Sequence, residues 1–215
     1  MGTSPIPKEA SAAARARERI VGAAADLFYR KGIHATGVDA LIEEANVAKS
    51  TFYRHFRSKD ELIVAWLRSP QARWIDVVMT SLDKDDTPPE RVLVDFWDRL
   101  GDWAERVGYL GCPYLKALAE IEEPSHAARL EIEAFIHEVD DFFTRTAAAG
   151  GFDRPKEIGL RLRLLTMGAL TAIVVERSRE PLNRARDITV HLLASWQGMT
   201  TSQMQRFIAE STSEA

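Results

Sequence analysis

Turn-forming residues divide this chain into stretches of helical length, and no stretch alternates apolar and polar residues as a half-buried strand does. Breaks fall at DDTPP (85–89), GYLGCP (108–113), EEPS (122–125), GGFDRP (150–155) and EPLN (180–183). Strand-free punctuation restricts the fold to all-α packing, helix on helix. The spacing predicts nine or ten helices. The first four are Ala12–Arg30, Val38–Ala45, Ala48–Phe56 and one beginning at Lys59 that continues toward Pro70, bridging two parts of the chain. The rest are Ala72–Leu82, Pro89–Arg106, Pro113–Ile121, Ser125–Ala149, Pro155–Arg179 and Asn183–Trp196. Residues 1–11, with Pro5 and Pro7, and the tail 211–215 are expected to be disordered.

The local signals are densest between residues 30 and 62. Gly32 is a helix stop. Thr36 and Asp39 have capping spacing, as do Ser58 and Glu61. Asn46 tolerates the left-handed conformation that ends a helix. Two short helices therefore meet across Asn46 and Val47, the arrangement of a helix-turn-helix. On a wheel of about 100° per residue, Ala48, Phe52 and Phe56 share one face of the second, with His55 at its edge. Lys49, Ser50, Tyr53 and Arg54 share the other, with Thr51 at its margin. Cations, hydroxyls and a phenol suit phosphate oxygens and base edges.

Charge is distributed accordingly. Residues 1–68 carry 11 Lys+Arg against 8 Asp+Glu, a balance of +3, and the remainder carries 17 against 24, a balance of −7. A basic first third on an acidic body points to an anionic partner for the first third. The single cysteine, Cys112, rules out an intramolecular disulfide. The first twenty residues lack the apolar run of a signal peptide. The longest apolar stretch, Leu164–Val175, falls short of a membrane span. The expectation is a cytoplasmic protein without a membrane partner. No Ser/His/Asp set, metal quartet or phosphate loop is visible, so the chain is read as a non-enzyme without metal or cofactor. Glu133 and His137 stand four apart, but a solvated acidic face is the ordinary reading of that segment.

The segment TGVDALIEEANVAKSTFYRHFRSKDELI (36–63), with RIVGAAADLFYRKGIHAT before it, resembles the DNA-binding region of the TetR (tetracycline-repressor) family. The resemblance covers about residues 15–67, a quarter of the chain. It implies that Thr36, Tyr53, His55 and Lys59 touch phosphates and that Lys49, Ser50 and Thr51 approach base edges. Ser50 stands where glycine is frequent, and Arg54 occupies a variable position able to serve either role. His55 is equally placed to be a packed residue. Arg15, Arg17 and Arg19 form either a solvated face or a reach to backbone or minor groove.

The resemblance also implies an organisation. Residues 12–67 would form the helix-turn-helix DNA-binding domain and 68–210 a helical ligand-binding and dimerisation domain. A small-molecule effector is expected, with Trp74, Trp97, Trp103, Cys112, Tyr114, Phe143 and Met167 as candidate pocket residues. Each of these is also an ordinary core residue. LLTMGALTAIVV and ITVHLLASW, which include Gly168, Ala169, Ala172, Leu192 and Trp196, would form the homodimer interface. The implied function is that of a repressor on a palindromic operator in double-stranded DNA. An activator with the same head, and a helical adaptor that meets an acidic protein, are the alternatives.

Overall fold

The computed structural model describes residues 12–70, 72–82 and 87–210; the two segments expected to be disordered lie outside them. Eleven α-helices and no strand occur among the described residues: α1 (Ala12–Lys31), α2 (Val38–Glu44), α3 (Lys49–His55), α4 (Lys59–Leu67), α5 (Trp74–Leu82), α6 (Pro89–Arg106), α7 (Pro113–Glu120), α8 (Ala127–Ala149), α9 (Pro155–Glu176), α10 (Glu180–Trp196) and α11 (Thr201–Glu210). The first four form a small cluster around Ile20, Ala24, Phe28, Leu41, Phe52 and Leu62, all at most 1% exposed. Phe28 and Trp66 meet edge to face at 5.5 Å and pin α1 to α4.

The remaining helices surround an aromatic core. Trp74, Phe96 and Phe143 are fully buried there, with Phe96 and Phe143 4.7 Å apart. α8 and α9 form the largest helix pair. Gly159 permits their close approach, since a Cβ would stand 2.3 Å from Thr144 Oγ1 and 3.1 Å from the Asp140 carbonyl oxygen.

Four differences from the sequence reading have physical causes. Helix α4 does not run on to Pro70; it ends at Leu67, and the chain turns through the bonds from Ser69 N–H to the Trp66 carbonyl and from Ala72 N–H to the Ser69 carbonyl. Pro70 has no N–H for the ladder and disfavours a helical residue before it. Helix α9 stops at Glu176 because Arg177 adopts φ 49°, and Pro181 falls in the first turn of α10, where a missing N–H is tolerated. An additional helix, α11, is present. Thr200 and Gln203 exchange capping bonds at its start, and Met204 and Ile208 bury its inner side. By length and composition α9 is long and apolar enough to cross a bilayer; here it packs against α8 and α10.

Candidate nucleic-acid interface

Asn46 adopts the left-handed conformation, φ 49°, between α2 and α3, as expected. Val47 N–H then donates to the Ile42 carbonyl at 3.3 Å, and α3 begins after Ala48. A seven-residue helix is marginal alone. Phe52 (0% exposed) and Phe56 (3%) anchor this one from the inner side. The anchoring leaves Lys49, Ser50, Tyr53 and Arg54 exposed on the outer side, while Thr51 and His55 are half-buried.

Each candidate contact then has a definite setting. Lys49 Nζ lies 3.4 Å from Asp39 Oδ1 on α2, with both side chains mostly in solvent, so the pair leaves the ammonium available. Tyr53 packs its ring edge on Phe52 at 5.4 Å and turns outward. His55 Nε2 is buried without a hydrogen-bond partner, the packed placement rather than an outward one. Arg17 stacks over the Phe56 ring at 5.2 Å, while Arg15 and Arg19 are exposed.

Two candidates are turned inward. Thr36 does not cap α2, whose N-cap is Gly37. Thr36 is 2% exposed, and its hydroxyl donates to the Gly32 carbonyl at 2.7 Å. It holds the α1–α2 turn, because a buried hydroxyl must satisfy itself on the nearest backbone acceptor. Lys59 Nζ donates to the Ile33 carbonyl and sits over Phe28. Burial lowers its pKa from the ordinary lysine value, although Glu120 and Asp60 oppose that shift. Ser58 caps α4 as expected, accepting from Glu61 N–H at 3.2 Å. In return, Glu61 Oε2 accepts from Arg57 N–H at 2.8 Å, one residue before the usual donor.

Among the candidate pocket residues, Trp74, Cys112, Tyr114 and Met167 line one closed cavity together with Phe135, Arg163 and Thr166. The cavity is collapsed: its volume of about 10 Å³ holds at most one water. Tyr114 and Phe135, both in its lining, stack face to face at 3.7 Å, and the Tyr114 hydroxyl donates to the Leu67 carbonyl, the end of α4. Cys112 is buried, receives a bond from Trp74 Nε1 at 3.4 Å, and has its thiol pKa raised by burial. Trp97, Trp103 and Phe143 are not in this lining; they fill the aromatic core against Phe96 and Trp74. Arg163, bonded to Asp140 at 2.7 Å, is a cavity residue that composition did not single out.

On the opposite side, Gly168 is exposed and Ala172, Leu192 and Trp196 are half-buried, with Arg161 over the Trp196 ring at 5.1 Å. Ala169, 7% exposed, faces the inside of the chain rather than this surface. The stripe is completed by Leu160, Leu164, Val175 and Ile188, between 45% and 81% exposed. Leu160, Leu164 and Gly168 repeat every four residues, a signal present in the sequence that an all-round apolar reading concealed.

Residues 20–66 match the model for bacterial regulatory proteins of the tetR family. The activator FasR of Mycolicibacterium smegmatis is 28% identical over 174 residues, 80% of this chain and 74% of that protein. The repressor NemR of Escherichia coli is 24% identical over 187 residues, 83% of this chain and 94% of that protein. Across the first curated relatives, between 60% and 94% of the relative's length is covered. A crystal structure of a TetR-family transcriptional regulator from Streptomyces coelicolor superposes with TM-score 0.73 at 29% identity, over 81% of this chain and 94% of that one. With its all-helical architecture and its α2–turn–α3 head, this chain belongs to the tetR family of bacterial regulatory proteins.

Proposed function

We propose that the protein is a cytoplasmic, homodimeric transcriptional repressor that reads a palindromic operator and releases it when a small molecule enters the body. Residues 12–67 are the DNA-reading unit and 68–210 the ligand-binding and dimerisation unit. The observation that carries this reading is the outer face of α3, where Lys49, Ser50, Tyr53 and Arg54 stand exposed on a helix fixed by Phe52 and Phe56. Lys49, Ser50 and Thr51 are the base-reading candidates, with Tyr53 and Arg54 toward phosphates. His55 and Lys59 contribute through packing and through the Ile33 carbonyl, and Thr36 through the α1–α2 turn.

The apolar stripe of α9 and α10 supports a second copy across a two-fold axis. Such a dimer presents two copies of α3 to half-sites about 34–36 Å apart or further. The cavity beside Tyr114 is the effector site, and an entering ligand must open it. Opening displaces the first turn of α7 and the Tyr114–Leu67 bond at the end of α4. A ligand that binds the open form more tightly thereby shifts the head. Repression follows if the DNA-bound form is the unliganded one, as the NemR name suggests; FasR shows that a relative can act with the opposite sign.

The test is selection from a random duplex DNA library, then titration at two salt concentrations. A palindrome is expected, with log affinity falling steeply against log salt, by a slope of about −0.9 per phosphate contacted. Failure to enrich any sequence, with no ligand released on denaturation, would leave the helical adaptor as the better reading.

A further inference from the structure

The last turn of α7 is bonded to the turn that follows α1. Glu120 Oε1 accepts from Ile33 N–H at 3.0 Å, and Oε2 accepts from His34 N–H at 2.7 Å. Gly32, at φ 95°, opens this concavity; a Cβ there would stand 2.9 Å from Glu120 Oε1. Successive N–H groups beside a left-handed residue make a nest for an anion, here filled by a carboxylate of the same chain. His34 Nε2 lies 2.6 Å from the Glu120 carbonyl oxygen, a contact that requires the proton on Nε2. One turn earlier on α7, Lys116 Nζ donates to the Tyr29 carbonyl at 2.6 Å, a cation at the C-terminus of α1, where the helix dipole favours it. Lys59, from α4, donates to the carbonyl of the same Ile33 whose N–H the carboxylate holds.

We propose that Glu120, seated in the nest formed by Gly32, Ile33 and His34, is a positioning residue that sets the angle of α2 and α3 to the body, and so the half-site spacing a dimer accepts. The proposal rests on the reading of α3 as the DNA-contacting helix of a dimer. The opposite end of α7 carries Cys112 and Tyr114, both in the lining of the collapsed cavity. One eight-residue helix therefore spans the effector site and the head's anchor.

The experiment uses the palindrome selected by the full-length protein, together with two versions whose centre is one base pair longer or shorter. The wild type should discriminate among the three. Glu120→Ala should shrink that discrimination by about tenfold, within the usual range of coupling between sites, while keeping the preference for the correct base inside each half-site. Glu120→Gln retains one acceptor oxygen for the two N–H groups and should fall between. It also serves if the alanine variant folds poorly, as a thermal melt will report. Lys116→Gln should move spacing discrimination in the same direction. Unchanged discrimination in both Glu120 variants would overturn the proposal. So would loss of base preference in step with spacing preference, since the carboxylate would then only be holding the α1–α2 turn together. If the wild type enriches no sequence and releases no ligand on denaturation, the DNA-binding reading falls and this proposal falls with it. An enriched palindrome with unaltered spacing dependence removes the role of Glu120 alone.

Discussion

The outer face of α3 and the outer stripe of α9 and α10 are both left uncovered by the described residues, and they keep different things from water. α3 buries its aromatics and shows cations, hydroxyls and a phenol. α9 buries one apolar side and shows another, with Leu160 and Leu164 about half-exposed and Val175 at 81%. Polar groups at a surface need no second molecule, whereas a contiguous apolar stripe in water marks a surface that another molecule covers. The comparison separates the two proposed partners by chemistry. Binding at α3 should weaken with salt, and association through α9 and α10 should not.

The largest effect should come from breaking the apolar surface. Leu164→Glu places a charge in the middle of the stripe. Light scattering should then report a monomer, and affinity for the palindrome should fall by about 10²–10⁴-fold, because the second half-site is no longer tethered to the first. Retention of the dimer by this variant would mean that the stripe meets something other than a second copy. Next comes the inner side of α3. Phe52→Ala should cost about 3–5 kcal/mol of stability in a denaturant titration. Its neighbour Tyr53→Ala, 46% exposed, should cost under about 0.5 kcal/mol of stability yet weaken DNA binding. Equal losses of stability at the two positions would show that α3 has no free face.

What the sequence made legible was local. Asn46, the inward Phe52 and Phe56, and the Ser58 cap each depend on neighbours within about one helical turn. The Thr200–Gln203 cap was equally local, but α11 offers only Met204 and Ile208 as buried anchors, too weak a stripe to stand out. Thr36 satisfied a capping pattern and then lost to burial, since Gly32 offered its hydroxyl a nearer acceptor. The nest around Glu120 was illegible for a different reason. Its partners Ile33 and His34 are 87 and 86 residues away, and backbone N–H groups leave no mark in a sequence. The same holds for the choice of Trp74, Cys112, Tyr114 and Met167 over Trp97, Trp103 and Phe143 as cavity walls. Aromatic residues read alike until packing sorts them.

A smaller effect sharpens the polar side of the comparison. Lys49→Ala should cost about 1–3 kcal/mol in operator binding and relax the preference at one base position, if Lys49 reads a base edge. Lys59→Ala removes an ammonium committed to the Ile33 carbonyl, so its effect should appear in thermal stability more than in the salt slope. A salt slope flattened equally by both substitutions would place Lys59 on a phosphate after all and shorten the list of groups that hold the α1–α2 turn.

The smallest effect concerns the seam between the first four helices and the body, which neither exposed face controls. Arg68, just after α4, is hydrogen-bonded to Glu131 on α8. That bond holds the Glu131 carboxyl below the ordinary value of 4.5, against a smaller opposing effect of burial. A carboxylate with a lowered folded-state pKa stabilises the fold above its unfolded-state pKa, and the contribution is lost as pH falls through the folded value. Arg68 is 65% exposed, so solvent screens the pair and its worth is that of a surface ion pair, about 0.2–1 kcal/mol. Glu131→Gln should therefore melt about 1–3 °C below the wild type at neutral pH. The gap should narrow as pH drops below 4.5 and close once both proteins are uncharged at this position. Thermal melts across that range decide it: a gap that stays constant with pH would mean that the charge on Glu131 contributes nothing to the seam, and that the Arg68–Glu131 pair is not a charge-dependent link between the end of α4 and α8.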